Sequence, residues 1–226
     1  TGTDDIIVLF KQVPSTNKII HVNIYDGITT YNNTQWNNWK PATAVTSGSF
    51  LYDDATASTV KAVLSFHPDF RDNGLNYAST ATVCPPAVLR INSISTIFRT
   101  LTITGLKPAL QYGFEFYASR TFIGNSTICK IGNKSDTIST DYNINDYAKF
   151  SNITPDNTGK VVVNLSSIGD YQYLAGFTII EGSSGLIATT TTQPAKTLAI
   201  SSSSDEIVST YLTVFPNPFF DNINLR

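Results

Sequence analysis

Apolar residues recur at every second position over short stretches of this chain, and nowhere at helical spacing over a long one. Ile20, Val22 and Ile24 share one face between residues 17 and 25. Val60, Ala62, Leu64 and Phe66 form a second set, and Leu101 and Ile103 alternate with Thr100, Thr102 and Thr104 in a third. Tyr112, Phe114, Phe116 and Ala118 follow, then Val161, Val163 and Leu165, then Tyr173, Ala175, Phe177 and Ile179. A period of two sends successive side chains to opposite faces, so each stretch predicts a strand with one buried side. The apolar run from residue 6 to 10 predicts a first strand on the same sheets.

Turn chemistry separates the strands. Gly105-Leu106-Lys107-Pro108 and Thr154-Pro155-Asp156-Asn157-Thr158-Gly159 are chain reversals, because proline presets φ and glycine admits positive φ. Many short strands without crossover helices predict an all-β, jelly-roll sandwich and disfavour an α/β enzyme fold. Residues 182–205 differ: four consecutive threonines from Thr189 and four serines from Ser201 read as an extended linker too polar to bury itself. The expected organisation is a sandwich over 1–181, a Ser/Thr-rich linker over 182–206 and a short terminal piece over 207–226.

Composition narrows the function. The chain has 226 residues, a formal net charge of -2 and only 14% charged residues. No basic patch is interleaved with aromatics, so nucleic acid and anionic membrane surfaces are not expected partners. No apolar run is long enough to span a bilayer. The chain starts at Thr1 and contains no methionine, so a processed or excised piece of a longer polypeptide is expected. Cys84 and Cys129 are the two cysteines. They are a disulfide candidate in an oxidising compartment, or equally two buried thiols acting as small hydrophobes.

Candidate chemistry concentrates between residues 25 and 52, where Tyr31, Trp36 and Trp39 lie among Asn32, Asn33, Gln35, Asn37 and Asn38. Sugars present flat C–H faces and many hydroxyls, and aromatic platforms with amides suit both. Trp36 reads as a core plug anchoring its loop, and Trp39, ahead of Pro41, as the exposed platform. Asn73, Asn76 and Tyr77 form a second polar loop, and Arg120 could fork onto hydroxyls or serve, like Arg90, as an internal ion-pair partner. Asp53, Asp54 and Asp72 are candidate oxygen ligands for calcium, although the plainer reading of such loop acids is turn capping. No His/Cys metal spacing and no Gly-x-Ser-x-Gly elbow occurs, and no acid pair sits in a glycosidase-like motif. A catalytic site is therefore not expected.

Two resemblances sharpen this. Val214-Phe215-Pro216-Asn217-Pro218-Phe219-Phe220, with the alternating residues after it, resembles the opening of the C-terminal sorting domain (type A) of the type IX secretion system of Bacteroidetes. That resemblance implies export, contact with the type IX machinery and placement outside the cell or on its surface. In the body, Trp36-Asn37-Asn38, Cys84-Pro85-Pro86-Ala87-Val88-Leu89-Arg90, Leu101 to Leu106, Tyr112 to Arg120 and Tyr173 to Phe177 form an ordered series. It is similar to galactose-binding-like, carbohydrate-binding-module-like sandwiches of secreted Bacteroidetes proteins. That family implies a jelly roll, frequent structural calcium and sugar-contacting loops. A competing likeness, Gly105-Leu106-Lys107-Pro108 followed by Tyr112, resembles the tyrosine corner of fibronectin type III and immunoglobulin-like sandwiches. The expected function is non-catalytic polysaccharide binding within a larger secreted or surface protein. The alternative is an adhesive or spacer domain with no small ligand.

Overall fold

The computed structural model describes residues 7–9, 17–182 and 189–191. The chain divides into two units, residues 15–183 and residues 1–14 with 184–226. In chain order the elements are β1 (Ile7–Leu9), β2 (Lys18–Ile24), β3 (Trp36–Trp39), β4 (Lys61–Leu64), β5 (Asp69–Asp72), α1 (Pro86–Arg90), β6 (Ile91–Ser95) and β7 (Arg99–Thr104). There follow β8 (Tyr112–Tyr117), β9 (Ser126–Ile131), β10 (Lys134–Ser139), β11 (Ala148–Ile153), β12 (Val161–Ile168), β13 (Gln172–Leu174), β14 (Gly176–Glu181) and β15 (Thr189–Thr191).

Among the described residues the first and last of these pair with each other, antiparallel, with Val8 opposite Thr190. The apolar run at residues 6–10 thus supplies Ile7–Leu9 to this pair, and its partner Thr189–Thr191 falls in the stretch expected as a linker. The terminal piece at 207–226, with its sorting-domain resemblance, lies outside the described residues.

Residues 15–183 build two five-stranded sheets. One has the order β10-β9-β12-β7-β4, the other β11-β8-β14-β2-β3. The antiparallel pairings are nested: β2 with β14, β7 with β12, β8 with β11, and β9 with β10 innermost. A long hairpin rolled up in this way is the jelly roll. β4 and β3 extend one edge of each sheet, β3 running parallel to β2. A small third sheet, β13-β6-β5, stands beside them.

The two main sheets close on one core, because alternate residues of each point at the other. Val22, Ile24, Phe114, Phe116, Phe177 and Ile179 come from one side and Leu64, Leu101, Ile103, Val163 and Leu165 from the other. All the predicted inward sets are buried except Phe66, which is half-buried. The same alternation carries Arg99 inward to 1% exposure. Its guanidinium donates to Ser93 Oγ at 2.6 Å, Ser93 O at 3.0 Å and Gln172 Oε1 at 3.0 Å.

The reversals behave as their residues require. Gly105 sits at φ +80° with Thr59 O only 2.1 Å from where a Cβ would be, and Gly159 repeats this against Leu106 O. Tyr112 Oη accepts from Lys107 N at 2.9 Å, so a bond of the tyrosine-corner type does form. The nested pairing around it is nonetheless a jelly roll and not an immunoglobulin-like sandwich, so the corner is a local solution to one reversal.

The disulfide alternative is not realised. Cys129 is a free thiol in the main core, and Cys84 is a free thiol packed with Leu89, Tyr117 and Ala175 in a separate cluster. Burial pushes both thiols well above their ordinary pKa.

Candidate functional site

Trp36 and Trp39 are three residues apart on one strand, so they must face opposite ways. The parallel register decides which is which. Trp39 lies beside inward-facing Ile24, and Trp36 beside outward-facing His21. Trp39 is therefore in the core at 6% exposure, edge-on to Phe50 and Phe177. This reverses the expected assignment: Trp39 is the plug and half-buried Trp36 the ring on the outer face.

That outer face carries one continuous cross-strand row. Lys149 on β11 pairs in register with Glu115 on β8, Glu115 with Thr178 on β14, Thr178 with His21 on β2, and His21 with Trp36 on β3. Their side chains are linked. His21 stacks on Trp36 with centroids 4.8 Å apart and 18° between planes. His21 Nδ1 and Thr178 Oγ1 are 2.9 Å apart, and Thr178 Oγ1 is 2.9 Å from Tyr117 Oη. Tyr117 in turn donates to Glu115 Oε2 at 2.9 Å, and Lys149 Nζ stands 3.6 Å from Glu115. Burial lowers the His21 pKa despite the opposing pull of Asp53 and Glu115. At neutral pH the ring is thus an uncharged imidazole. The arrangement offers a half-buried aromatic stack with an imidazole and a carboxylate along the same row, held in position by the buried Thr178 and Tyr117 hydroxyls.

Concavities flank the row. Next to Trp36 lies a broad shallow basin of about 620 Å³ lined by Asn32, Asn33, Thr34, Gln35, Asp53, Asp54 and Ala55. Beyond Glu115 lies a groove of about 410 Å³ between β11, β8 and β14.

The residues singled out from sequence divide sharply. Tyr31 packs edge-on to Trp36 at 6.1 Å and so belongs to the row's aromatic end. Asn37 is spent on the backbone, donating to His21 O and Leu51 O and accepting from Leu51 N. Asn38 is likewise spent, clamping Tyr31 N and O and accepting from Asn23. Asn73 is a hub that donates to Leu89 O and Ser119 O and accepts from Arg120 and Thr121 N. Tyr77 shares a hydrogen bond with Ser119 Oγ, and Arg120 also donates to Asp72 O, so these groups converge to lock loops together. Asn76 is exposed. An asparagine amide suits a sugar hydroxyl, but its two-sided amide is also the best mimic of a missing peptide unit, and Asn37, Asn38 and Asn73 serve in that way.

The carboxylates proposed for calcium do not form a cage. Asp54 is held by Lys18 at 2.5 Å and by Thr56, and Asp72 takes a two-pronged grip from Arg90 at 2.7 and 2.8 Å. Those partners hold both carboxyls below the usual range. Asp53 lines the shallow basin instead. Among the described residues no three His, Cys, Asp or Glu side chains gather where they could hold one metal ion.

Sequence reading missed Glu115, Thr178 and Lys149, and passed over His21. Their signal is the polar phase of the same alternation that gave the core, aligned by register that no single strand reveals.

No family model matches the chain, and no curated protein matches it in sequence. Solved structures give distant likenesses. The ANX1 ectodomain from Arabidopsis thaliana aligns at a TM-score of 0.46 and 9% identity, over 79% of this chain and 54% of that one. A Bacteroides uniformis beta-glucuronidase 2 aligns at 0.45 and 11% identity, over 71% of this chain and 17% of that one. The plant receptor-like kinase ANX2 aligns at 0.44 and 9% identity, over 60% and 43%. The chain thus spans only part of each. The fold assignment rests on the strand pairings themselves.

Proposed function

We propose that the jelly roll is a non-catalytic carbohydrate-binding module of a larger secreted or surface protein. The observation that supports this best is the half-open Trp36–His21 stack, in register across buried Thr178 with the half-buried Glu115 and exposed Lys149 on one face. Trp36 and Tyr31 remove a sugar's C–H face from water, and the aligned polar side chains meet its hydroxyls. The resemblance of the terminal residues to a sorting domain supports export through the type IX machinery. The test is affinity electrophoresis of the whole chain in gels containing soluble polysaccharides. Retardation is expected, and Trp36→Ala weakens it about tenfold, the worth of one stacked ring. A folded chain that no polysaccharide retards would sink the reading.

A second reading, an adhesive domain that meets another protein, has its own observation. Leu75, Phe98, Phe122, Ile123, Tyr142 and Ile168 are all exposed, Leu75 at 82%. Their loops are tied together at one end of the roll by Asn73 to Thr121, Asp141 to Gly124 and Asn125, Asn125 to Tyr171, and Gln172 to Ile97 O beside Phe98. Gathered apolar tips mark contact surfaces. Phe122→Ser with Ile123→Ser separates the two readings, because it weakens protein association and leaves polysaccharide retardation unchanged.

A further inference from the structure

Gly113 has no conformational reason to be glycine. Its φ is outside the left-handed region, and a Cβ there would meet Ile180 Cβ at 3.4 Å and Phe150 O at 3.6 Å, near ordinary contact. Lacking a side chain, it leaves open the 410 Å³ groove, whose walls include Ile180, Glu115, Lys149 and Asn152. Opposite Gly113, β11 inserts an extra residue: Phe150 pairs with Phe114 and Ile153 with Tyr112, so Ser151 and Asn152 together face Gly113. Asn152 adopts φ +55° there. A bulge bends its strand and re-aims side chains, which is why bulges gather beside binding sites. Groove and bulge lie at the Lys149–Glu115 end of the row, with Trp36 at the other end.

Five strands about 4.8 Å apart make that row about 19 Å long, more than one sugar ring can cover, with Thr178 buried at its centre and the accessible groups toward its two ends. We propose that the ligand lies across the strands from Trp36 to the Gly113 groove. The domain then recognises an internal stretch of an unbranched polysaccharide and not a chain end. This rests on the carbohydrate reading above. Ile180 offers an apolar floor to a second ring, and Glu115, Lys149 and Asn152 offer hydrogen bonds to its hydroxyls.

The experiment takes whichever of soluble xylan, mannan, mixed-linkage β-glucan or polygalacturonate retards the whole chain. It then measures affinity for the corresponding linear oligosaccharides, from disaccharide to hexasaccharide. Affinity is expected to climb at least about tenfold along the series. Gly113→Phe, which fills the groove, abolishes the climb while disaccharide binding survives, and Gly113→Ala leaves most of it. Lys149→Ala with Asn152→Gly, confined to exposed side chains, gives the same loss should the phenylalanine variant not fold. A flat length profile, or a climb untouched in the groove variants, overturns the cross-strand track and leaves the carbohydrate reading standing. No retardation by any of the polysaccharides removes both.

Discussion

His21 and Trp36, fifteen residues apart in sequence, lie flat against each other at 4.8 Å on the outer face of the jelly roll. The parallel pairing of β2 with β3 forces this meeting. The same register sends Trp39 into the core.

The two tryptophans should therefore fail in different assays. Trp39→Ala empties a buried site between Phe50 and Phe177, and unfolding in urea should show a loss of about 3–5 kcal/mol. Trp36→Ala removes a half-buried ring, and should reduce ligand affinity with a smaller stability loss. Equal stability losses from both would mean that the outer-face assignment of Trp36 is wrong.

The contrast shows what could be read from the chain alone. Alternation in the sets from Ile20 to Ile179 located the core strands and the jelly-roll class, because one-sided burial writes itself into every second residue. β9, β10 and β11 left weaker traces, since inward positions such as Thr127, Cys129 and Ala148 are polar or small and β10 buries only Ile138. The site was less legible than the fold. Whether Trp36 or Trp39 faces out depends on the register against β2. The row from Lys149 to Trp36 exists only once five strands are aligned. The amide chemistry that makes Asn37, Asn38 and Asn73 candidates for sugar contact is consumed in holding loops.

Arg99 should prove costly to truncate. It is buried among neutral acceptors, Ser93 and Gln172, and burial lowers its pKa to about 9. Arg99→Ala leaves those acceptors unsatisfied and opens a cavity. Urea unfolding should show a loss of about 3 kcal/mol or more. A change below about 1 kcal/mol would indicate that solvent reaches these groups.

The cysteines should behave as inert thiols. Cys84 and Cys129 are unpaired, and burial raises both pKa values, so little thiolate forms near neutral pH. Ellman's reagent should react slowly with the folded chain and rapidly with both thiols in guanidinium. Thermal unfolding should be unchanged by dithiothreitol. A reductant-dependent drop in Tm would establish a disulfide instead.

Acid should weaken the fold above the range where carboxylates alone respond. Burial, then the nearby Arg99 charge, lowers the His67 pKa to about 4, with Asp69 opposing, and His67 Nδ1 is 2.7 Å from Ser93 Oγ. An imidazole with a depressed folded pKa takes up a proton more readily when unfolded. Stability therefore rises with pH across the interval between the two values and falls as pH drops from about 6.5 toward about 4. Burial likewise lowers the His21 pKa, and it contributes in the same direction. Asp69 and Asp72, held low by Arg71 and Arg90, add their losses only below about pH 4. Because His67 is partly open to solvent, its contribution is well below what the shift alone would imply. His67→Gln should flatten the fall in Tm between about pH 6.5 and 4 while leaving the steeper carboxylate-driven fall below it. An unaltered slope in that variant would assign the acid sensitivity to other groups.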